Sequence, residues 1–430
     1  MREMKKSGIE WCAEVPVSWD IMPNKYIMFK KKDICPIYNG EDILSLTMKG
    51  VIVRNLDDGG KMPATFNGYQ KIYKNNLLMC LFDYDVTPRC IGLIKNDGLT
   101  SPAYSQFVMK NGNNSNYYYY YFLMIDHTKE LLHLAKNLRH SFTEEQIGEI
   151  KTPVPPIEEQ HKIAEFLDKK CSTIDNLYLK IEQQIEILEN YKKSIITEAV
   201  TKGLDSNVEM KDSGIEWIKK IPKNWEVNKI KYLFTSGKGL SITKENLVDD
   251  GLPVISYGQI HAKNNNSVDI NKDLIRFVSY DYQKYNFNCN VKKNDFIFAD
   301  TSEDKDGCGN FVYKRDDSLL FAGYHSIILH SKIQQDNRYL AYLFLTDLWR
   351  KQLRETASGV KVFSITQKNL INSSIILPPL DEQIEIANVL DKKCYEIIKA
   401  INEKREQLII LDNYKKSLIY EYVTGKKEVR

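Results

Sequence analysis

Two stretches of the chain, 155–201 and 378–424, carry apolar residues at every seventh position with a companion row four residues on. The first row consists of Leu167, Ile174, Ile181, Leu188 and Ile195. The second row consists of Leu390, Ile397, Leu411 and Leu418, with Lys404 interrupting it. A heptad row of this length predicts a coiled-coil helix. Two prolines precede each stretch, and Gly203 and Gly425 follow them, as is typical of helix starts and stops.

The two heptad stretches are copies of each other at a constant offset, so that Cys171 corresponds to Cys394 and Tyr191 to Tyr414. A second repeat lies upstream of each copy, where EMKKSGIEW at 3–11 returns as EMKDSGIEW at 209–217. Such internal repeats define the architecture before any other feature. We therefore predict a globular domain at 1–154, a helix at 155–203, a globular domain at 204–377 and a helix at 378–430.

Both globular segments alternate short apolar runs with turn residues, which predicts strands. The predicted strands are 42–48, 76–82, 90–95, 106–110, 252–256, 295–299, 310–313 and 326–329, and the predicted helices are 117–138 and 338–356. The expected fold is α+β, with two globular domains, each a twisted sheet plus helices, separated by two long helices. We expect these helices to pack as an antiparallel coiled coil with pseudo-two-fold symmetry, because duplicated surfaces close most simply by reciprocal contact.

Composition narrows the function only slightly. The net charge is +3 and the pI is near 8.2, which argues against a binder that relies on phosphate charge alone. The eight cysteines form no C-x-x-C pair, which favours a reducing compartment. We find neither a signal peptide nor an apolar run long enough for a membrane span, and therefore expect a cytoplasmic protein without membrane contact.

Candidate catalytic motifs are incomplete. SPAY at 101–104 lacks the second proline of an amino-methyltransferase loop, and SGKG at 236–239 lacks the full phosphate-loop pattern and is predicted to be a turn. Asp295, Glu303 and Lys305 only loosely resemble a nuclease site, and the histidines show no metal-ligand spacing. We therefore predict a non-catalytic chain with no catalytic residue, metal or bound cofactor.

DNA-reading proteins use Lys and Arg on phosphates, and Arg, Asn, Gln, Ser or Thr on base edges. For most such residues, a solvated surface position is the simpler interpretation. The best-placed candidates lie in two loops, around 139–143 and 361–366, each at the same distance before its helix. The candidate DNA contacts are Lys49, Arg54, Lys61, Gln70, Lys71, Tyr73, Arg89, Arg139, His140, Ser141, Lys238, Gln259, His261, Lys263, Asn264, Lys361 and Ser364.

The repeated motifs resemble the specificity subunit of type I restriction-modification systems. They are SGIEW followed by Pro and Trp at the start of each half, and PPxxEQxxIAxxLDxK leading each long helix; Ala357-Ser358-Gly359 adds to them. The first domain departs from the pattern because its loop, LRHSFT, has no glycine.

This resemblance implies a DNA-binding subunit whose globular domains are target recognition domains, each reading one half of a bipartite double-stranded site. It also implies two methyltransferase subunits, which dock on the helices and domains and supply S-adenosylmethionine and adenine-N6 methylation, and a restriction subunit that joins them. Two other interpretations remain: a self-sufficient methyltransferase fused to a specificity chain, and a coiled-coil scaffold with two protein-binding domains.

Overall fold

A computed structural model describes residues 2–57, 63–135, 139–284 and 287–429. They form two compact units, Met1–Gln183 with Lys404–Arg430, and Gln184–Glu403. Both boundaries fall inside long helices, so each unit contains one globular domain and part of both helices. Across the described residues, no helix has the length and apolarity needed to cross a membrane.

The first long helix is Ile157–Lys202 and the second long helix is Leu380–Val423. Each begins directly after the predicted proline pair. Gly203 and Gly425, with φ of 82° and 70°, adopt the left-handed conformation that favours glycine just beyond the helix ends. Gly203 lies beside Trp225 and Gly425 beside Trp19, so each helix end contacts the entry of a globular domain.

In the first unit, the first globular domain contains an antiparallel four-stranded sheet. Its strands, in spatial order, are Met28–Lys31, Ser105–Met109, Leu77–Met79 and Ile91–Leu93. Two-stranded pairs surround it: Met4–Ile9 with Cys12–Pro16, Asp20–Pro23 with Lys151–Val154, Leu44–Thr47 with Gly50–Val53, and Gln70–Ile72 with Gly98–Thr100. The helices are Asn24–Ile27, Ser115–Thr128 and Glu144–Glu149, with a 3-10 turn at Glu130–Leu134.

The second globular domain repeats this plan. Its main sheet orders Phe234–Lys238, Ser326–Ser331, Phe296–Ala299 and Phe311–Tyr313, all antiparallel. The strands of a further sheet, in spatial order, are Leu247–Val248, Arg276–Val278, Leu252–Ile255 and Phe321–Ala322. There are also three two-stranded pairs: Met210–Ile215 with Ile218–Pro222, Glu226–Lys229 with Ser374–Leu377, and Thr301–Ser302 with Phe363–Ser364. The short helices are Ile230–Leu233, Tyr257–Ile260, Asn337–Leu345, Asp347–Thr356 and Gln367–Asn372, with 3-10 turns at Lys244–Asn246, Lys272–Leu274, Tyr280–Lys284 and Phe287–Cys289.

Three local predictions need correction. The helix predicted over 117–138 covers Ser115–Thr128 and ends where Lys129 turns to φ 55°; residues 136–138 lie outside the described residues. The helix predicted over 338–356 is two helices, because the side chain of Thr346 accepts a hydrogen bond from Trp349 and caps a new start. The segment 236–239 is not a turn; most of it lies in the strand Phe234–Lys238.

The two long helices run antiparallel within each unit, as predicted. In the first unit, the rings of Phe166 and Tyr422 lie 4.4 Å apart, and Lys415 Nζ lies 2.5 Å from Asp175 Oδ1. The start of the first long helix therefore packs on the end of the second. In the second unit, the end of the first long helix packs on the start of the second. Ile196, Ala199 and Val200 share one buried cluster with Ile386, Leu390 and Cys394.

The buried stripe of the first long helix drifts along the predicted row. Leu167, Ile174 and Ile181 are buried, but Leu188 and Ile195 are only half-buried, and Ile196 replaces Ile195 as the inward residue. A straight α-helix drifts by about 20° per heptad, so four heptads shift the inward position by about one residue. The buried stripe of the second long helix drifts in the same way. Leu390 and Ile397 are buried, Leu411 is half-buried, and Ile419 is more deeply buried than Leu418.

Candidate functional site

Each long helix is tied to the globular domain that precedes it by a Trp–Glu hydrogen bond. Trp19 Nε1 donates to Glu159 Oε2 at 2.9 Å, and Trp225 Nε1 donates to Glu382 Oε1 at 3.0 Å. Both tryptophans are fully buried. The two repeated sequence motifs thus meet in space, because the tryptophan of one hydrogen-bonds the glutamate of the other.

A second link joins each domain to its long helix about two and a half turns further along that helix. Tyr120 donates its hydroxyl hydrogen to Asp168 Oδ1, and Tyr342 donates to Asp391 Oδ1, both at 2.8 Å. The tyrosine run at 117–121 therefore packs its helix against the long helices, and it does not project into solvent.

The repeats also hold each other's helix ends. In the first unit, Tyr117 donates its hydroxyl hydrogen to the carbonyl of Val423 at 2.9 Å. In the second unit, Tyr339 donates to the carbonyl of Val200 at 3.0 Å. Burial raises the pKa of both phenols well above the ordinary value, so the hydroxyls remain donors. Each domain is therefore anchored to the helix of the other repeat as well as to its own.

In the first domain, Lys49 lies exposed at the tip of the hairpin formed by Leu44–Thr47 and Gly50–Val53. Arg89 lies behind this hairpin and donates to the carbonyl of Met48 at 2.6 Å and to the hydroxyl of Tyr119. Arg89 therefore holds the hairpin that presents Lys49. Arg54 is half-buried at the hairpin base.

Two further first-domain candidates lie on the strand Gln70–Ile72 or directly after it. Lys71 is exposed on Gln70–Ile72. Tyr73 is half-buried, donates to Asp33, and lies under the ammonium of Lys31, which is 3.8 Å from the ring centroid. Gln70 on the same strand is buried and donates to the carbonyls of Ser101 and Tyr104, so it is not a surface contact. Lys61 lies outside the described residues.

The loop at 139–143 runs beside residues 81–87. The backbone N–H groups of Asp83 and Tyr84 donate to the carbonyls of Arg139 and His140 at 2.9 and 3.3 Å. The imidazole of His140 lies 3.0 Å from the Asp85 carboxylate. The Arg139 side chain is exposed, while Ser141 is half-buried.

In the second domain, His261 uses both ring nitrogens within the protein. Arg350 donates to Asn310 Oδ1 at 2.6 Å, which leaves the Asn310 amide nitrogen to donate to His261 Nδ1 at 2.9 Å. His261 Nε2 must then carry the hydrogen and donate to the carbonyl of Thr301 at 2.8 Å. His261 therefore positions the strand Thr301–Ser302, and Arg350 and Asn310 are participants that the sequence did not reveal.

Thr301–Ser302 pairs with Phe363–Ser364 and so supports a hairpin at 358–364. Ser358 and Ser364 exchange backbone hydrogen bonds at 2.8 and 3.1 Å, and Val360 at the tip is 92% exposed. Gly359 has φ 126°, and a Cβ there would lie 1.8 Å from the Val362 carbonyl oxygen. This tight turn presents Lys361 to solvent.

The loops at 139–143 and 358–364 lead into equivalent caps. Thr143 accepts a hydrogen bond from the backbone N–H of Gln146 at 3.2 Å, and Thr366 accepts one from Asn369 at 3.1 Å. Since both caps start short helices before the long ones, the two loops occupy equivalent positions in their domains.

The remaining second-domain candidates separate into two kinds. Lys238 and Lys263 are exposed. Gln259 instead accepts the backbone N–H of Ser256 at 3.1 Å and caps Tyr257–Ile260.

A further aromatic cluster escaped sequence reasoning. The ring of Tyr257 lies 5.5 Å from the rings of both Tyr324 and His325, and His325 is exposed with φ 52°. His325 lies 3.2 Å from Asp300, whose carbonyl accepts the N–H of Ile365 at the hairpin base. Tyr324 and His325 follow the short strand Phe321–Ala322, and only the fold brings them beside the hairpin.

Residues 23–187 and 222–408 match the family model described as type I restriction modification DNA specificity domain. The MjaVIII specificity subunit of a type I restriction enzyme from Methanocaldococcus jannaschii is 27% identical over 284 residues, 65% of this chain. The EcoKI specificity subunit from Escherichia coli K12 is 22% identical over 60% of this chain. These matches span 63% and 56% of the relatives' own lengths.

The fold also matches a solved chain. A chain from a structural study of complex assembly and conformational transition in a type I restriction-modification system superposes with a TM-score of 0.70 at 13% identity. The match covers 96% of this chain and 99% of that one. The architecture of two globular domains and two long helices is therefore shared with that chain.

Proposed function

Because the chain belongs to the family of type I restriction-modification DNA specificity domains, we propose that it is the DNA-specificity subunit of a type I restriction-modification complex. Each target recognition domain reads one half of a bipartite double-stranded site. The observation that carries this proposal is the duplication itself: two matched domains each present a loop before an equivalent threonine cap. Their loop sequences differ, which fits two unlike half-sites.

The chain supplies sequence recognition and partner subunits supply chemistry. Two methyltransferase subunits bind S-adenosylmethionine and methylate adenine at N6, and a restriction subunit joins them. The incomplete catalytic motifs in this chain favour such a division of labour. Within the described residues, there is also no cluster of three or more His, Cys, Asp or Glu suited to a metal ion.

Docking of two methyltransferase subunits is supported by apolar residues exposed on the long helices. Ile187 and Tyr191, one turn apart on the first long helix, are 65% and 52% exposed. Ile410 and Tyr414, their repeat equivalents, are 66% and 54% exposed. Exposed apolar groups of this kind mark interaction sites, and their duplication suits two copies of one partner.

The test is DNA binding by the chain with and without its co-expressed methyltransferase. We expect the complex to bind one bipartite sequence tightly and the isolated chain to bind weakly, since specific protein–DNA affinity exceeds non-specific affinity by about 10³-fold or more. Genome methylation in cells with and without this chain identifies the site. A complex that binds all sequences equally, or a chain that captures only proteins, would favour the scaffold interpretation.

Docking has its own test. Ile187→Lys with Tyr191→Lys should remove one methyltransferase copy from the complex, and adding Ile410→Lys with Tyr414→Lys should remove both, as measured by native mass spectrometry. Lys193→Glu, an exposed change on the same helix, is the control for altered charge. Full stoichiometry in the fourfold variant would exclude docking through these residues.

A further inference from the structure

An open pocket of about 480 Å³ lies on the second domain, along the strand Phe234–Lys238. Its lining is almost entirely polar or glycine: Ser236, Gly237, Lys238, Gly239, Ser241, Asn288, Cys289 and His330. The glycines leave its floor open, because a Cβ on Gly237 would lie 3.6 Å from the nearest atoms, Asn288 O and His330 Nε2. The pocket can therefore admit a small polar group close to the backbone.

The electrostatics of the pocket favour an anion. Lys238 contributes a positive charge, and Ser236, Ser241 and Asn288 contribute hydrogen-bond donors. None of the described lining residues is a carboxylate.

The ring of His330 is oriented by a buried carboxylate behind the pocket. The buried carboxylate of Asp295 accepts from His330 Nδ1 at 2.6 Å and from the backbone N–H of Lys292 at 2.8 Å. Nδ1 is thus engaged behind the pocket, and Nε2 lies at the pocket floor beside Gly237.

The pocket is continuous with the loops proposed to read DNA. Gln367, the first residue of the helix that follows the 358–364 hairpin, donates to the carbonyl of Gly237 at 2.8 Å. On the other side, Gly239 packs against the carbonyl of Gly323, next to Tyr324 and His325. The pocket thus lies on the strand that both of these segments contact.

We propose that this pocket binds one backbone phosphate of double-stranded DNA and fixes the position of the second domain on its half-site. The inference rests on the proposed function. Phosphate contacts orient a protein on the duplex, whereas base-edge contacts select sequence. Lys238 supplies the charge, the serines and Asn288 supply donors, and the neighbouring hairpin is left to contact bases.

The test compares the wild-type methyltransferase complex with Lys238→Gln. Loss of one phosphate contact should weaken binding to cognate and to non-cognate DNA by the same factor. It should also lower the slope of log affinity against log salt concentration by about 0.9, so that the loss is about 3.5-fold greater at 50 mM than at 200 mM salt. Lys238→Arg should restore the slope, and Ser236→Ala, which removes one donor, should weaken binding to both DNAs equally.

The control is Lys211→Gln, which removes an exposed lysine of the same domain that does not line the pocket. An unchanged slope in Lys238→Gln, or an equal drop in Lys211→Gln, overturns the inference while wild-type binding still supports the proposed function. A wild-type complex without sequence-specific binding overturns both.

Free phosphate is the alternative ligand for the pocket. Calorimetric binding of inorganic phosphate without DNA, lost in Lys238→Gln, together with an unchanged salt slope, would assign the pocket to free phosphate and overturn the DNA assignment.

Discussion

His261 shows how a residue expected at an interface can instead set the shape of that interface. Its neutral ring is fixed between the Asn310 amide and the Thr301 carbonyl, and Asn310 is itself oriented by Arg350. A histidine with both nitrogens bonded in this way has one defined tautomer.

We expect His261→Ala to leave two polar partners unpaired, destabilising the second domain by about 1–3 kcal/mol. The 358–364 hairpin should loosen, so sequence preference should relax in the half-site read by the second domain only. Methylation of a randomised site library measures this change. Lys263→Ala, two residues away and exposed, should leave folding stability unchanged.

His127 predicts a pH dependence of stability in the first unit. Burial, helped by the charge of Lys416, lowers its pKa from 6.5 to about 4. The unfolded chain therefore binds a proton that the folded chain does not, and stability falls as pH falls from about 6.5 to about 4. We expect a loss of about 2 kcal/mol between pH 7 and pH 5 that His127→Gln lacks. Urea unfolding of the wild type and of His127→Gln at the two pH values tests this. An equal loss of unfolding free energy in the two proteins would contradict it.

Individual residues were harder to predict than elements. The Trp19–Glu159 and Trp225–Glu382 links join motifs that sequence alone could only observe as repeats. Exposure of Lys49 and Lys361 agrees with a surface role, but main partners of Arg89 and His261 come from distant segments, so no local pattern reveals them. The DNA-contact assignments themselves remain predictions.

Among the elements, the long helices were predictable because their apolar period is regular and their proline and glycine boundaries are unambiguous. The shift of the buried position from Ile195 to Ile196 was not predictable, because a heptad row assumes a supercoiled helix and a straighter helix departs from that row. The predicted strands were found within a few residues, but others, such as Met4–Ile9 and Cys12–Pro16, were not predicted. The capped break at Thr346 depends on one side-chain hydrogen bond.

The reciprocal tyrosine bonds predict which hydroxyls matter. Tyr339 donates to the carbonyls of Val200 and Ile376, so Tyr339→Phe should cost about 1–2 kcal/mol by leaving buried acceptors unpaired. Tyr118→Phe is the matched control, because the buried Tyr118 hydroxyl has no hydrogen-bond partner among the described residues. Chemical denaturation should show Tyr118→Phe neutral or slightly stabilising; equal effects of the two changes would contradict the assignment.

The seam of the long helices can be separated from their exposed face. Ile181 is buried, so Ile181→Asp should lose about 1.5–3 kcal/mol of apolar burial and place a charge in the seam. Circular dichroism and thermal unfolding should report a destabilised helix. Ile187→Asp, at a position 65% exposed, should leave folding intact. Equal melting temperatures for the two variants would count against the seam.

At the scale of the whole molecule, the first long helix contributes residues to both units. Under the proposed function, the length of this helix sets the distance between the two half-sites. Inserting one heptad within 175–195, with the matching heptad in the second long helix, adds about 10 Å at 1.5 Å per residue. We expect the gap between half-sites to grow by about three base pairs while both half-sites stay unchanged. Sequencing of methylated sites tests this, and an unaltered gap would show that helix length does not set the spacing.

The two glycines at the helix ends carry one last consequence. Gly203 lies at the covalent junction between the repeats and contacts Trp225. Gly425, at the end of the second repeat, makes the equivalent contact with Trp19 without a covalent link. Each repeat therefore starts at the same kind of contact, and either repeat can come first in the chain. A circularly permuted gene that starts with the second repeat should encode the same molecule and address the same DNA.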